Sequence, residues 1–307
     1  MKVAICISTY DRPEGLKRLL DAIAELHFDD ELIVVVVDNH PDMAGKAIAD
    51  AMASEYRWPI VTDVEERRGI PYVRNKTVQR ALESSPDYVA MLDDDEWPEK
   101  YWLAALLRVM QSAGADVVGG PVEPVFSECP VMSWYEVAKE YYGADQHLED
   151  GALCRLYASG NFIAKSSCLA NMMPEPFDSD FAATGGEDNE FFHVLEENGC
   201  KMAWSAKGRV YEEVPEARTT LDWLKERVVS DSNINVLIRR RHENGIPYSL
   251  ERGLKTFALY VLGSCRYLLS RAGSNRRVAA QMMLWKAKGR MIGHRGQFKV
   301  YGGHGGG

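Results

Sequence analysis

The sequence predicts an α/β fold: a Rossmann-like, mostly parallel sheet with a helical C-terminal extension. Three observations predict it. Apolar strand-like runs alternate with helical patterns up to about residue 124. One run, 32–37, is apolar at every position, as a strand buried on both faces requires. From Leu221 onward the pattern is mostly helical. Alternation of this kind implies right-handed crossovers and a parallel sheet.

The elements follow in order. Residues 3–8 make a short apolar strand, and Pro13 opens a helix with Leu16, Leu19, Leu20, Ile23 and Leu26 on one face. After the strand at 32–37, residues 41–56 read as helix, 60–64 as strand and 73–82 as helix. The strand at 87–92 runs into Asp93-Asp94-Asp95; Pro98 then starts a helix reaching about Gln111, and Val117-Val118 opens another strand. Regularity falls after about residue 124. Residues 156–164 are strand-like, Thr184-Gly185-Gly186 is a turn, and 187–198 is a helix closed by Gly199. Short strands are expected at 201–205 and 209–214, and the glycine-rich end, 302–307, is expected to be disordered. The organisation predicts a catalytic unit over 1–220 and a mostly helical, basic segment over 221–307.

Composition narrows the function. The chain has 307 residues, 46% hydrophobic and 26% charged, the balance of a soluble globular protein and not of a disordered or collagen-like one. The longest stretch without a charged residue, 256–265, is far short of the roughly 20 residues of a spanning helix. The N-terminus has no signal-peptide pattern, and the six cysteines form no CxxC pair, so reduced thiols in a cytoplasm are expected and a zinc site is not. Charge is uneven: residues 1–238 hold 22 Lys+Arg against 43 Asp+Glu, and residues 239–307 hold 14 against two. A nucleic-acid binder would need a basic working face, which the first 238 residues lack.

The basic segment also carries an apolar stripe at helical spacing: Leu254, Phe257, Ala258, Val261, Leu262, Cys265, Leu268 and Leu269. Such stripes usually face a core. The flanking Arg252, Lys255, Arg266 and Arg271 instead favour anionic lipid headgroups. The competing expectation is therefore peripheral attachment through about residues 239–295, lying on a bilayer and not crossing it.

Three motifs carry chemistry. Asp93-Asp94-Asp95, followed by Glu96, sits where an apolar strand ends, and open α/β sheets bind ligands there. Adjacent carboxylates repel one another unless a cation is present, and an oxygen-rich cluster suits Mg²⁺ or Mn²⁺. A plainer role is capping of the next helix by Asp95 or Glu96. Glu187-Asp188 follows two glycines at a helix start; it either complements the helix dipole or turns a carboxylate base into a cleft. Arg74 falls early on a helix after Gly69-Ile70-Pro71, with a planar fork suited to phosphate. Thr9, Tyr10 and Asp38 lie at the ends of the first two strands.

The set resembles glycosyltransferase family 2 in residue order: Ser8-Thr9-Tyr10-Asp11-Arg12-Pro13, Val37-Asp38-Asn39, Arg74-Asn75, Leu92-Asp93-Asp94-Asp95-Glu96, Gly120-Pro121-Val122, Ser159-Gly160-Asn161 and Gly185-Gly186-Glu187-Asp188. The run Val214-Pro215-Glu216-Ala217-Arg218, with Leu221-Asp222-Trp223-Leu224, is similar to the branch of the succinoglycan glucosyltransferases, which extend lipid-linked oligosaccharides. The resemblance implies a glycosyltransferase A type sheet and an inverting hexose transfer. The implied donor is a nucleotide sugar, UDP-glucose by default, and the implied acceptor a saccharide hydroxyl, lipid-linked, at the cytoplasmic face of a membrane. It implies that Thr9, Tyr10, Arg12 and Asp38 hold the nucleoside, that Arg74 and Asp93 border the nucleotide, and that Asp94 meets its ribose or the metal. Asp95 would ligate Mg²⁺ or Mn²⁺, Asp188 would be the base and Glu187 would orient the acceptor. The branch often has a His shortly before the Val-Pro-Glu run; Tyr211 stands there, with Glu212 as the substitute ligand.

Other readings compete. A nucleotidyl- or phosphoryl-transferase could use the same acidic cluster, but no phosphate-cradling GxxxxGK[ST] loop is present. No GxGxxG follows the first strand, which disfavours a nicotinamide enzyme. A non-catalytic sugar-binding module would have no use for both the acidic cluster and the Glu-Asp pair.

Overall fold

In a computed structural model the described residues are 1–127, 129–242 and 246–297, with side chains from 251 in the last stretch. The glycine-rich end at 302–307 lies outside them. In chain order the elements are β1 (Lys2–Thr9), α1 (Pro13–Ala24), β2 (Glu31–Asp38), α2 (Ala44–Ala53), β3 (Ile60–Val64), α3 (Ile70–Glu83), β4 (Tyr88–Asp93), β5 (Glu96–Pro98), α4 (Trp102–Ala113), β6 (Val117–Gly119), β7 (Val122–Val125), α5 (Tyr135–Ala138), β8 (Asn161–Lys165), α6 (Ser166–Ala170), α7 (Glu187–Glu197), β9 (Met202–Trp204), β10 (Val210–Glu213), α8 (Leu221–His242), α9 (Ile246–Leu269) and α10 (Asn275–His294).

Among the described residues the main sheet has seven strands in the order β3-β2-β1-β4-β8-β6-β9. It is parallel except for β8, which runs antiparallel to both β4 and β6. Helix α1 begins with Pro13 at its first turn and buries Leu16, Leu19, Leu20 and Ile23 against the sheet. Full burial of each such side chain is worth about 1.5–3 kcal/mol. On the other face Ala4, Cys6, Val35 and Val37 meet Val73, Val78 and Ala81 of α3, and the cluster continues to Phe162, Phe191 and Phe192.

Three expectations need correcting. Pro98 ends the short strand β5; helix α4 starts only at Trp102, because Glu96-Trp97-Pro98 is recruited into a second sheet, β5-β10-β7. The strand expected at 156–164 begins at Asn161, because its antiparallel partner β4 runs out there: Asn161 pairs with Leu92 and β4 ends at Asp93. The helix expected from Pro41 begins at Ala44, after a turn closed by Asp38.

The C-terminal helices are anchored by an aromatic-rich cluster. Leu224 and Val228 of α8 and Val278 and Met282 of α10 pack with Ala138, Tyr142 and Val214. Helix α10 lies between α8 and α9. No helix among the described residues is long and apolar enough to cross a membrane.

Candidate active site

Topology sets the place. β1, β2 and β4 are parallel and in register, with Thr9 opposite Asp38 and Ser8 opposite Asp93, so their carboxyl ends share one edge. The chain builds outward from β1 to β2 and β3, then returns to lay β4 on the other side of β1. Strand order reverses there, and open α/β sheets bind ligands at such a reversal.

Asp94 is buried and ties the first loop together. Its carboxylate accepts from the Thr9 hydroxyl at 2.9 Å, the Tyr10 backbone N–H at 3.1 Å and the Arg12 guanidinium at 2.9 Å. Burial pushes the Asp94 carboxyl up to about 6 against the pull of Arg12, and Asp95 adds to the push. Asp38 does similar work one strand away, accepting from the backbone N–H groups of His40 at 2.8 Å and Lys46 at 2.9 Å. Tyr10 meets His40 edge-on at 4.9 Å, and the Arg68 guanidinium stands 5.3 Å from the same ring.

Asp95 faces a different set. Its Oδ2 accepts from Arg12 at 2.8 Å and lies 3.7 Å from the Arg218 guanidinium. β10 pairs antiparallel with β5, setting Glu212 opposite Glu96, and Arg218 donates to Glu212 at 2.7 Å. Burial pushes Glu212 up to about 7, Asp95 raises it further, and Arg218 opposes both. Tyr211 turns elsewhere, its hydroxyl donating to Glu99 at 2.8 Å, because neighbouring residues on a strand face opposite sides. Of the two residues at the branch's His position, Glu212 is the one beside the acidic turn. Glu96 lies buried beneath it and accepts from the Asp93 backbone N–H at 3.0 Å, with burial holding its carboxyl well above the usual range. Neither Asp95 nor Glu96 caps α4, whose N-cap is Tyr101.

Among the described residues no group of three or more His, Cys, Asp or Glu stands ready to hold a metal. The donors nevertheless fit a hard divalent cation. Asp95 and Glu212 present carboxylate oxygens of the kind such an ion takes, and Arg12 and Arg218 are ion-paired with them. Mg²⁺ usually takes one or two carboxylates and completes its shell with water and substrate phosphate.

Arg74 connects this cluster to the second motif. Buried on α3, it donates to Asp93 at 2.9 Å and to Glu187 at 3.0 Å. Glu187 and Asp188 open α7 behind Gly186, whose φ of 96° suits glycine and swings the helix start toward β4. Burial pushes the Glu187 carboxyl up to about 7, Asp188 adds to this and Arg74 resists it. Asp188 is also raised, again by burial, with Arg74 and Arg227 opposing. From α8 come Arg227 and Asp231, paired at 3.2 Å; burial raises Asp231, and the charge of Asp188 adds to it.

The arrangement therefore gathers Thr9, Tyr10, Arg12, Asp93, Asp94, Asp95, Arg74, Glu187 and Asp188 through bonds, ion pairs or shared electrostatics, with Asp38 at the neighbouring strand end. Sequence reasoning passed over Arg218, Arg227 and Asp231 as site residues. Arg218 was within reach as the last residue of the Val214–Arg218 run; Arg227 and Asp231 show only once α8 is placed.

Residues 4–168, more than half of the chain, match glycosyl transferase family 2. The chain belongs to that family. As a family 2 glycosyltransferase it is similar to the succinoglycan biosynthesis protein ExoM of Rhizobium meliloti, 27% identical over 229 residues that cover 74% of this chain and 72% of the relative. It is also similar to the glucosyl-dolichyl phosphate glucuronosyltransferase of Haloferax volcanii, 24% identical over 243 residues covering 73% of each chain. The glycosyltransferase A fold recurs in the mannosyltransferase PcManGT of Pyrobaculum calidifontis, solved with GDP-Man and Mn²⁺. That structure has a TM-score of 0.58 at 16% identity, over 95% of this chain and 86% of that one. It recurs in S. aureus TarS 1-349 in complex with UDP-GlcNAc, with a TM-score of 0.55 at 15% identity, over 97% and 93%.

Proposed function

We propose that this glycosyltransferase is inverting and divalent-metal dependent. It moves a hexose from a nucleotide sugar, UDP-glucose being the first to try, to a hydroxyl of a lipid-linked saccharide acceptor. The step belongs to surface polysaccharide biosynthesis at the cytoplasmic face of a membrane. The observation that carries this reading is buried Arg74, which joins Asp93 at the strand end to Glu187 of the Glu187-Asp188 pair. Further support comes from the relative named for succinoglycan biosynthesis, the relative named for a glucosyl-dolichyl phosphate, and a fold neighbour holding GDP-Man and Mn²⁺.

In this reading Thr9, Tyr10, Arg12 and Asp38 hold the nucleoside, and Arg74, Asp93 and Asp94 border the nucleotide. Asp95 would hold Mg²⁺ or Mn²⁺, with Glu212 beside it. When bound, such an ion neutralises the charge growing on the departing diphosphate. Asp188 takes the proton of the acceptor hydroxyl as that oxygen bonds to the anomeric carbon. The bond from that carbon to the diphosphate breaks on the opposite face, so the configuration inverts and no covalent nucleophile is needed. A positioned base contributes about 10²–10⁴-fold. Glu187, held by Arg74, orients the acceptor. Residues 1–220 carry the donor site, and α8 of the C-terminal segment contributes Arg227 and Asp231 beside Asp188.

A screen of UDP- and GDP-sugars tests the proposal. At least one should show Mn²⁺-dependent hydrolysis and raise the unfolding temperature, and product NMR should find the anomeric configuration reversed. Hydrolysis unchanged by chelator, or retention at the anomeric carbon, would overturn it.

A further inference from the structure

Helix α9 is turned inside out for a soluble protein. The side that meets α10 is small and mixed: Thr256 is buried, Leu259 and Tyr267 are half-buried, and a Cβ on Gly263 would sit 3.1 Å from Met283 and Leu284. The apolar stripe faces the other way. Leu254 is 63% exposed, Phe257 66%, Leu268 81% and Leu269 89%, with Val261, Leu262 and Cys265 exposed between them. An amphipathic helix normally turns such a stripe inward, and a contiguous exposed apolar strip of this kind marks an interaction surface.

The charge around the stripe selects its occupant. Exposed Lys255 and Arg266 border it, and Arg271 and Arg276 surround the turn that carries Leu268 and Leu269 into α10. Across residues 251–297 ten Lys and Arg stand against Glu251 alone. A second copy docking through the same face would bring cation against cation, since a two-fold interface sets a patch against itself. An anionic lipid surface matches both features, taking leucine and phenylalanine between its headgroups and the cations among its phosphates.

We propose that the outward face of α9 and the α9–α10 turn form a docking surface for an anionic bilayer, with Leu268 and Leu269 as the deepest residues. This deepens the membrane-face placement proposed above and relies on it only for the setting. Helix α9 lies along the surface, and the molecule is held by apolar burial and headgroup charge together.

Co-sedimentation of the full chain with vesicles tests it, using phosphatidylcholine alone and phosphatidylcholine with about one-third phosphatidylglycerol. The chain should pellet with the anionic vesicles at low salt and release at high salt, because surface charge is screened. Leu268→Ser/Leu269→Ser should lower partitioning about tenfold or more. Its unfolding temperature should stay unchanged, since those side chains face solvent. Arg271→Gln and Arg276→Gln should each cost about fivefold. The inference is overturned by wild-type protein that stays in the supernatant at low salt, or by a double variant that binds as tightly as wild type. A dimer in ultracentrifugation that the double variant splits would assign the stripe to a second copy instead. Vesicle binding without turnover of any nucleotide sugar would leave this surface standing and sink the glycosyl-transfer reading.

Discussion

Arg74 and Glu187 lie 113 residues apart in the chain and meet at 3.0 Å in a buried ion pair. Through its other nitrogen Arg74 also holds Asp93. One guanidinium thus fixes the distance between the end of β4 and the start of α7, which carry the two acidic motifs. Neither motif forms a site alone: the aspartates mark a strand end, and the Glu-Asp pair decorates a helix start.

Replacing Arg74 should therefore cost stability as well as activity. Arg74→Met leaves Glu187 buried without its cation, a loss of about 3–5 kcal/mol for a broken buried pair. Asp93 is more exposed, so its share is small. The deficit has a sign in pH. A buried carboxylate raised above its unfolded value is penalised when ionised, and losing Arg74 raises Glu187 further. The pH-dependent loss should therefore be near zero below the wild-type Glu187 value of about 7 and grow as pH rises above it, being partial at pH 8. Urea unfolding of wild type and variant at pH 8 and pH 5 measures it; an equal loss at both pH values would contradict the account.

The order of the motifs was readable because each sits at the end of an apolar run, and strands buried on both faces announce themselves. What the sequence left open was contact at long range. Arg74 on a helix reads as an ordinary surface arginine until β4 and α7 are placed on either side of it. Pro98 reads as a helix start because proline suits a first turn equally well in isolation; only the pairing of β5 with β10 decides otherwise. The same pairing sorts Tyr211 from Glu212, a distinction of strand face that needs the register. The α9 stripe was visible as a periodicity, but its direction depended on which face α10 took.

Metal dependence should map to Asp95. Asp95→Asn keeps the shape of the side chain and removes the charge that would hold Mg²⁺ or Mn²⁺. Calorimetry of UDP binding with and without Mn²⁺ should show wild type gaining affinity from the metal and the variant gaining little. The same metal gain in both proteins would remove Asp95 from the metal site.

Turnover should fall on the acid side earlier than an ordinary carboxylate allows. Asp188 must be ionised to accept a proton, and it is raised by burial, with Arg74 and Arg227 opposing and Asp93 pushing further. Glu187 beside it stands at about 7, and Asp231 of α8 is raised in the same neighbourhood. The kcat of wild type should accordingly decline at a pH above the ordinary aspartate range. Glu187→Gln removes one like charge from the pair and should move that decline to lower pH. A wild-type kcat that is flat from pH 8 to pH 5 would exclude a raised carboxylate as the base.

The most direct test is the rate of UDP release from UDP-glucose, with Mn²⁺ and a saccharide acceptor, for wild type and Asp188→Asn. The amide keeps the size and loses the basicity. The account predicts a fall in kcat of about 10²-fold or more, as for other lost general bases, with UDP affinity unchanged. A variant that turns over within about tenfold of wild type would place the base elsewhere and contradict the assignment of Asp188.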